Sequence, residues 1–278
     1  MKIAVLSGKG GAGKTLVAVN LAASVQEAVY VDCDVEEPNG QLFLKAEHPE
    51  KHMVYKKLPV FDAEKCTGCR ACVDFCRFHA LAYIKDQPKL FGDICHSCGG
   101  CMYVCPVHAI SEKNVPIGYI EEGNCDGTTV ITGVLNMGEA SGVKVIEEAL
   151  KTGNNKKGDC IIDCPPGSAC SVMESIRECD FCLLVAEPTA FGFHNFRMVY
   201  ELASLLEKPC GVVINKEEKP YEPLDAFCRE LDIPILLRIP YEKKVAQLVS
   251  EGKLLVKEEK QYRTVFADLF KKIGERIK

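Results

Sequence analysis

The chain opens with a short apolar run, residues 2–7, that leads into a glycine-rich turn. Residues 15–26 then carry apolar side chains at helical spacing, and residues 28–32 form a second continuous apolar run. Apolar runs of this length are typical of strands that are buried on both faces of a parallel sheet. The start of the chain therefore predicts a strand, a helix and a strand in one βαβ unit.

The same alternation returns late in the chain. Apolar runs predict strands at residues 160–163, 181–186, 211–214 and 235–239, and helical patterns predict helices at 169–177, 193–206 and 224–231. Alternating strands and helices indicate an α/β fold with a doubly wound, mostly parallel sheet. Residues 117–136 have the pattern of extended segments with glycine turns, and the pattern assigns them no position in that sheet.

Between these two α/β parts the pattern breaks. Eight of the 17 cysteines fall between Cys66 and Cys105, and this window contains two similar halves about 29 residues apart. A cysteine cluster in a chain of this length, without secretory features, favours metal binding over disulfides. We therefore predict an insert at residues 58–113, within a discontinuous α/β domain formed by residues 1–57 and 114–278.

Bulk composition narrows the possible partners and location. The net charge of −5 creates no field that would favour nucleic acid, so we expect no nucleic-acid partner. The first apolar run is too short for a signal peptide, and no run approaches the ~20 residues of a membrane span, which predicts a cytoplasmic protein. A C-terminal stripe from Tyr262 to Ile277 has helical spacing, and we expect it to dock on the sheet rather than on a membrane.

The turn after the first run fits the phosphate-binding pattern G-x-x-x-x-G-K-[ST]. Its residues are Gly8, Lys9, Gly10, Gly11, Ala12, Gly13, Lys14 and Thr15. Glycines let backbone N–H groups converge on phosphates at the positive end of the following helix. Lys14 would neutralise the β- and γ-phosphate oxygens of ATP, and Thr15 would bind Mg²⁺.

The second lysine of the turn, Lys9, makes the pattern more specific. A loop of the form G-K-G-G-x-G-K-T resembles that of the deviant Walker A ATPases of the MinD/ParA group, which are related to the nitrogenase iron protein and to Mrp-type ATPases. The resemblance implies an ATP-hydrolysing, Mg²⁺-dependent P-loop enzyme with a MinD-like fold. It also implies an ATP-dependent homodimer, or a heterodimer with a paralogue, in which Lys9 crosses the interface to the other subunit's nucleotide.

Three further segments resemble those of the same group: the strand end with Asp34, the run from Asp163 to Gly167, and the strand end with Asn215. The resemblance implies that Asp34 is catalytic and polarises the attacking water. It also implies that Asp163 reaches Mg²⁺ through water, that Gly167 lies near the γ-phosphate and that Asn215 reads adenine. Taken alone, Asp34 could instead cap the next helix and Asn215 could be a turn residue.

Within the insert, two runs have the C-x2-C-x2-C-x3-C spacing of bacterial ferredoxins, in which the fourth cysteine of each run binds the other cluster. They predict two [4Fe–4S] clusters, one held by Cys66, Cys69, Cys72 and Cys105 and the other by Cys95, Cys98, Cys101 and Cys76. Zinc is the alternative, because CxxC pairs also form zinc sites. Arg77 replaces the proline that usually follows the first run, which removes no ligand. The chain thus resembles MinD-superfamily ATPases with an inserted bacterial-ferredoxin-like α+β domain.

Together these features predict an ATP-driven dimeric switch that passes electrons from its clusters to an unidentified redox partner. The alternatives are an iron–sulfur carrier or assembly ATPase, and a positioning ATPase whose clusters sense redox state or stabilise the fold. The insert follows closely after Asp34, which favours coupling between nucleotide and clusters, but the polar residues 41–58 could instead form a flexible linker.

Four cysteines outside the insert need their own interpretation. Cys179 and Cys182 form another CxxC pair, which we interpret as structural, with Cys182 pointing into the core. We interpret Cys164 and Cys170, which flank the segment around Gly167, as packing residues.

Overall fold

A sheet of nine strands organises the chain, and the computed structural model describes residues 1–277 of it. The strands in chain order are β1 (Lys2–Leu6), β2 (Val29–Asp32), β3 (Glu47–Phe61), β4 (Leu81–Ile84), β5 (Gln87–Leu90), β6 (Ile110–Cys125), β7 (Thr128–Leu135), β8 (Cys160–Asp163), β9 (Phe181–Ala186), β10 (Cys210–Glu217) and β11 (Ile235–Pro240). The sheet order is β11-β10-β9-β1-β8-β2-β7-β6-β3, and β4 pairs with β5 in a separate hairpin. In the large sheet β6 runs antiparallel to both of its neighbours, while the other pairings are parallel.

Helices cover both faces of this sheet. They are α1 (Lys14–Ser24), α2 (Ala71–Phe75), α3 (Gly100–Tyr103), α4 (Val143–Asn154), α5 (Cys170–Ile176), α6 (Ala190–Leu205), α7 (Glu222–Glu230), α8 (Lys243–Ser250), α9 (Leu255–Glu258) and α10 (Lys260–Ile277). One apolar core lies under α4, α5, α6 and α7, and a second lies under α1, α8, α9 and α10. This three-layer arrangement confirms the predicted doubly wound α/β fold with a mostly parallel sheet.

The strands and helices predicted from apolar patterns lie within three residues of observed ones. These elements are buried, so their patterns carry a strong signal. The extended segments at residues 117–136 form parts of β6 and β7, at one side of the sheet.

The C-terminal helix α10 docks on the sheet, as its apolar stripe predicted. Tyr262, Phe266, Leu269 and Ile273 are all buried in the core that also contains α1. Within residues 1–277, no helix combines the length and the apolar character that crossing a membrane would require.

A long antiparallel ribbon of β3 and β6 leads to the cysteine-rich insert. The strands pair from Glu47 with Asn124 to Phe61 with Ile110. The polar residues 47–58 are therefore a paired strand, which corrects the alternative of a flexible linker over that part of the connection. The expected domain boundaries at residues 57/58 and 113/114 fall inside this ribbon. Polar side chains are compatible with a strand here because most of β3 is exposed.

The ribbon leaves the main sheet at a β-bulge. Val54 pairs with Gly118 but the next residue, Tyr55, pairs with Pro116, so Ile117 is the extra residue. The third strand, β7, ends at the same level, because its last residue Leu135 pairs with Gly118. Bulges bend and twist a strand pair locally, so the outer ribbon changes direction where it loses its neighbour.

Residues 62–109, at the tip of the ribbon, fold as a small module with an internal repeat. In each half a cysteine loop and a short helix are followed by a left-handed histidine, His79 or His108. The N–H groups of these histidines donate to the carbonyls of Cys76 and Cys105, both at 3.2 Å. The two cysteine runs thus have the same local geometry, as their matched spacing predicted.

Candidate nucleotide site and cysteine module

The glycine-rich loop connects the carboxyl end of β1 with the start of α1. Gly13 precedes α1 with φ = 93°, and a Cβ at this position would collide with the side-chain amide of Asn215. Gly8 packs against the backbone of Asn195 in α6, which leaves no space for a side chain. Left-handed backbone and close approach both favour glycine, so the pattern of the loop follows from the packing around it.

Lys14 lies at the centre of a buried group of carboxylates. Its ammonium is 2.5 Å from Asp163 Oδ1 and 3.6 Å from Asp34 Oδ2, and its side chain is only 6% exposed. Burial alone would lower the pKa of Lys14, but Asp163, Asp34 and Asp32 raise it well above its usual value. The structure therefore brings together three residues that the sequence assigned to one site.

The carboxylates in this group do not share one environment. Burial raises the pKa of Asp34 to about 6, with Lys14 opposing and Asp163 adding to the rise. Burial and the charge of Asp163 also raise the pKa of Asp32, which is fully buried. Asp32 accepts the N–H groups of Asp34 at 3.1 Å and Gly40 at 2.9 Å, so it shapes the loop after β2.

Lys9 is held within its own chain. Its ammonium pairs with Glu187 at the end of β9 and lies 5.3 Å from the centre of the Phe191 ring. Lys216 binds the other oxygen of the same carboxylate at 2.7 Å. The two lysines lower the pKa of Glu187 although its partial burial opposes this.

Asn215, at the end of β10, supports the glycine-rich loop. Its amide donates to the carbonyl of Ala12 at 2.9 Å, and the neighbouring Lys216 donates to the carbonyl of Gly11 at 2.6 Å. Asn215 is buried but still lines the cavity beside the loop. Its predicted contact with adenine thus remains a prediction, alongside this structural role.

Sequence analysis did not single out Asp32, Tyr30, Glu187 or Lys216. Asp32 and Tyr30 lie inside an apolar run and were assigned to the strand, although a buried polar residue there needs a partner. Glu187 follows the end of a strand, which is where ligands bind in open α/β sheets. This position could have identified Glu187 as a candidate site residue.

A cavity of about 1060 Å³ opens beside these residues. One side is lined by the glycine-rich loop, including Lys14 and Thr15, and by Asp34. Asn215, which contacts the loop, also lines the cavity, together with Pro240, Tyr241 and Val245. Gly167 lies outside this lining and donates its N–H to the carbonyl of Ser7 at 2.9 Å, below the loop. Backbone amides, the ammonium groups of Lys9, Lys14 and Lys216, and several oxygens form a donor set that fits a nucleotide and a divalent cation.

The sequence of residues 3–256 matches the CobQ/CobB/MinD/ParA nucleotide-binding domain. The chain belongs to this family. It is 31% identical over 284 aligned residues to the uncharacterised protein MJ0578 of Methanocaldococcus jannaschii, covering 100% of this chain and 98% of that protein. It is 28% identical to the uncharacterised protein MJ0579 of the same organism, covering 92% of each.

Solved structures of MinD share the fold of this family member. The cell-division ATPase MinD of Pyrococcus furiosus superposes with a TM-score of 0.62 at 19% identity, over 99% of this chain and 98% of that one. MinD of Pyrococcus horikoshii in complex with Mg-ADP gives a TM-score of 0.61 at 18% identity, over 99% and 96% of the two chains. These similarities confirm the MinD-like fold.

In the cysteine module of this family member, two separate cavities are lined by cysteines of both runs. Cys66, Cys69, Cys72 and Cys105 line a narrow one of about 20 Å³. The other, of about 230 Å³, is lined by Cys95, Cys98, Cys101 and Cys76, together with Arg77 and His96. Each cavity therefore combines three cysteines of one run with the fourth cysteine of the other run, which is the grouping that the spacing predicted.

In each cavity one cysteine, Cys69 or Cys98, is exposed, and the other three are partly or fully buried. Burial raises the pKa of Cys72, and the Cys105 and Cys66 thiolates add to the rise. Burial likewise raises the pKa of Cys101 to about 11. Among residues 1–277, no three His, Cys, Asp or Glu side chains converge closely enough to hold a single metal ion.

The four cysteines that were interpreted separately lie in or next to β8, β9 and α5. The sulfurs of Cys179 and Cys182 are 3.6 Å apart, and both residues are buried, as predicted for a structural pair. Cys164 is also buried. Cys170 is exposed at the start of α5, so interpreting it as a packing residue was wrong.

Proposed function

We propose that this protein is an ATP-hydrolysing, dimeric switch that controls electron transfer from two iron–sulfur clusters to a partner protein. The observation that carries the proposal is the grouping of eight cysteines around two cavities at the tip of a ribbon that extends from the same sheet as the glycine-rich loop. Membership of a nucleotide-binding family supports the other half of the proposal.

The nucleotide half rests on the residues around Lys14. Lys14 and the backbone of the glycine-rich loop would bind the phosphates, and Thr15 and Asp163 would hold Mg²⁺, directly and through water. The Lys14 ammonium and the Asp163 carboxylate form an ion pair, 2.5 Å apart. A phosphate would replace Asp163 as the partner of Lys14 and leave the carboxylate available to the cation.

Hydrolysis would depend on Asp34. Its carboxylate lines the cavity and is partly exposed, in contrast to the fully buried Asp32 and Asp163. An accessible carboxylate at the loop is the group suited to orient a water molecule for attack on the γ-phosphate.

Dimerisation would use Lys9 at the mouth of the cavity. In this chain it pairs with Glu187, and an ATP-bound second subunit, identical or paralogous, would compete for the ammonium. The γ-phosphate carries more charge than the Glu187 carboxylate, which favours the exchange.

The module half rests on the composition of the two cavities. Four thiols in each suit a [4Fe–4S] cluster, which spreads its ligands over separate irons, so they need not converge as ligands of one ion do. The cavity with Cys76 already has room between its thiols. The cavity with Cys105 is narrow, so its thiols would have to turn outward to admit a cluster. Bound clusters would supply low-potential one-electron chemistry.

A physical path connects the nucleotide cavity to the ribbon. Val35, next to Asp34, packs against Gly142 at the start of α4, and its carbonyl accepts the N–H of Leu135 at 2.8 Å. The loop between Leu135 and Gly142 contains Glu139, which forms a half-buried ion pair of 2.5 Å with Lys56 on the outer ribbon. Movement of the loop after β2 would therefore reach the ribbon beyond its bulge.

The side chain of Asn136 fastens the same loop to the other strand of the ribbon. The side-chain amide of Asn136 donates to the carbonyl of Pro116 at 3.2 Å, and its backbone N–H donates to the carbonyl of Ile117 at 2.8 Å. These contacts lie at the bulge itself. The loop therefore braces the point where the ribbon changes direction, which supports coupling rather than independent motion of the module.

The first experiment tests the cofactor and the reaction together. Protein purified anaerobically should contain about eight iron and eight sulfide per chain, and the reduced protein should pass electrons to a viologen dye at rates that differ between ATP and ADP. Stoichiometric zinc without sulfide would contradict the cluster assignment. Transfer of intact clusters to an apo-ferredoxin would favour a carrier, and ATP turnover with no effect on electron transfer would favour a positioning ATPase.

A second experiment tests the coupling path. Glu139→Ala removes the ion pair with Lys56, and Glu148→Ala is the matched control because its pair with Lys151 lies on the outer face of α4. We expect Glu139→Ala to keep ATP hydrolysis but lose the difference between ATP and ADP in chelator-driven iron release. If that difference survives in Glu139→Ala, the loop does not transmit nucleotide state.

A further inference from the structure

A fully buried tyrosine in β2 lies among the carboxylates of the nucleotide site. Side chains alternate along a strand, so Tyr30 and Asp32 share one face of β2. In the parallel register Asp32 lies beside Asp163 of β8. The sheet thus brings one phenol hydroxyl and two aspartates to the face that α1 covers, where Lys14 begins that helix.

The hydroxyl of Tyr30 binds the carboxylate that Lys14 also binds. It donates to Asp163 Oδ2 at 2.9 Å, while the Lys14 ammonium is 2.5 Å from Oδ1. The hydroxyl is also 3.4 Å from Asp32 Oδ2, but a phenol has one proton and the shorter contact takes it. The two oxygens of Asp163 therefore have two different donors.

The loop after β2 encloses this hydroxyl. Gly40 donates its N–H to Asp32 Oδ2 at 2.9 Å, and a Cβ on Gly40 would overlap the hydroxyl of Tyr30. Burial and the neighbouring carboxylates, Asp163 first, raise the pKa of Tyr30 well above its usual value. The hydroxyl therefore lies in a closed space between the two aspartates and the loop.

We propose that Tyr30 is a positioning residue for the Mg²⁺ site, which holds Asp163 in place through the hydrogen bond to Oδ2. When a phosphate draws Lys14 away, Asp163 loses the donor on Oδ1 and keeps the donor on Oδ2. The carboxylate then keeps its direction toward the glycine-rich loop. This inference rests on the proposed function, because it takes Asp163 as the residue that faces Mg²⁺.

A positioning role and a purely structural role of Tyr30 predict different effects when its hydroxyl is removed. If Tyr30 only fills the core, removal of its hydroxyl lowers stability and leaves metal dependence unchanged. If it positions Asp163, the same change alters the response to Mg²⁺ and leaves nucleotide binding without Mg²⁺ unchanged, because Tyr30 itself does not line the cavity.

The test is calorimetric titration of the protein with ADP over a series of Mg²⁺ concentrations, which requires no turnover. In Tyr30→Phe the ring is kept, and the Mg²⁺ concentration that gives half of the full gain in ADP affinity should rise roughly tenfold, as expected for a lost hydrogen bond to a charged group. ADP affinity without Mg²⁺ should match that of the parent protein. Tyr262→Phe is the control, since it alters a buried tyrosine in α10, and its Mg²⁺ midpoint should stay unchanged.

A second variant, in the loop after β2, displaces the same hydroxyl. Gly40→Ala puts a methyl group where the hydroxyl lies, so its Mg²⁺ midpoint should also rise, and this variant decides the question if Tyr30→Phe does not fold. An unchanged Mg²⁺ midpoint in folded Tyr30→Phe, or in Gly40→Ala when it alone folds, overturns the inference. If the parent protein itself binds ADP without any effect of Mg²⁺, the proposed Mg²⁺ site fails and the inference fails with it.

Discussion

Lys9 and Glu187 form an ion pair within one chain, although the sequence predicted that Lys9 would reach across to a second subunit. Lys216 shares the Glu187 carboxylate, so the pair is part of a three-residue network at the mouth of the nucleotide cavity. Both lysines are partly exposed, and partly exposed ion pairs typically contribute no more than about 1 kcal/mol. An incoming phosphate can therefore displace Glu187 at small cost.

We expect Lys9→Ala to bind ATP but remain monomeric. Lys14 already provides the ammonium for the bound phosphates, so loss of Lys9 removes the contact between subunits and, within the chain, only the weak ion pair with Glu187. Sedimentation velocity with ATP measures the outcome, and Lys271→Ala, an exposed lysine on α10, is the control that should still dimerise. An ATP-bound dimer of Lys9→Ala would rule out the role of Lys9 between subunits.

We expect Asp34→Ala to bind ATP with nearly the affinity of the parent protein and to hydrolyse it at least a hundredfold more slowly, an order of magnitude typical for loss of a residue that orients the attacking water. The reason is that Asp34 would contact water rather than phosphate. Glu37→Ala is the matched control, because it removes another carboxylate from the same cavity and should leave the hydrolysis rate close to that of the parent. Equal rates for Asp34→Ala and the parent would show that another residue orients the water.

The pH dependence of hydrolysis should report the ionisation of Asp34. Its pKa in the folded protein is about 6, raised by burial, and the carboxylate is the active form. The value of kcat/KM should therefore rise with pH through about 6 and level off above it, falling about tenfold for each pH unit below. A profile of kcat/KM that is flat between pH 5 and pH 8 would contradict this assignment.

Loss of Lys14 should destabilise the fold more at high pH than at low pH. Asp32 and Asp34 have raised pKa values in the folded protein. At a pH between the pKa of each carboxyl in the unfolded protein and its pKa in the folded protein, the folded state binds more protons. The free energy of unfolding therefore falls as pH rises through this range. Lys14 opposes both shifts. We expect Lys14→Ala to lower the free energy of unfolding by about 2 kcal/mol at pH 8 and by less at pH 5, measured by urea denaturation. An equal loss at both pH values would contradict the electrostatic explanation.

Cysteines of different runs that line the same cavity should hold the same cluster. Cys76 lines the cavity of Cys98, so the double variant Cys76→Ser/Cys98→Ser should lose about four irons, the content of one cluster. The double variant Cys76→Ser/Cys69→Ser should lose about eight, because Cys69 lines the other cavity. Iron and sulfide analysis after anaerobic purification measures both, with Cys170→Ser as the control. Equal losses in the two double variants would show that the grouping by cavity is wrong.

The sequence alone determined the elements that bury continuous apolar runs and the motifs that need few residues. The glycine-rich loop, the α/β alternation and the two cysteine runs are local patterns, and their meaning depends on spacing along the chain. It also determined the membership of the two cysteine groups, because a fixed spacing repeated twice leaves the fourth cysteine of each run to the other half.

The tertiary structure decided what depends on contacts between distant residues. The strand β3 is largely exposed and contains Pro49 and Pro59, so its polar pattern resembled a linker, and only its pairing with β6 makes the two strands a ribbon. Likewise, the Tyr30 hydroxyl finds Asp163 only because β2 lies beside β8, 133 residues apart in sequence. Such polar contacts produce no periodic pattern in the sequence. They form only because the sheet register places the two partners side by side, so the sequence alone does not predict them.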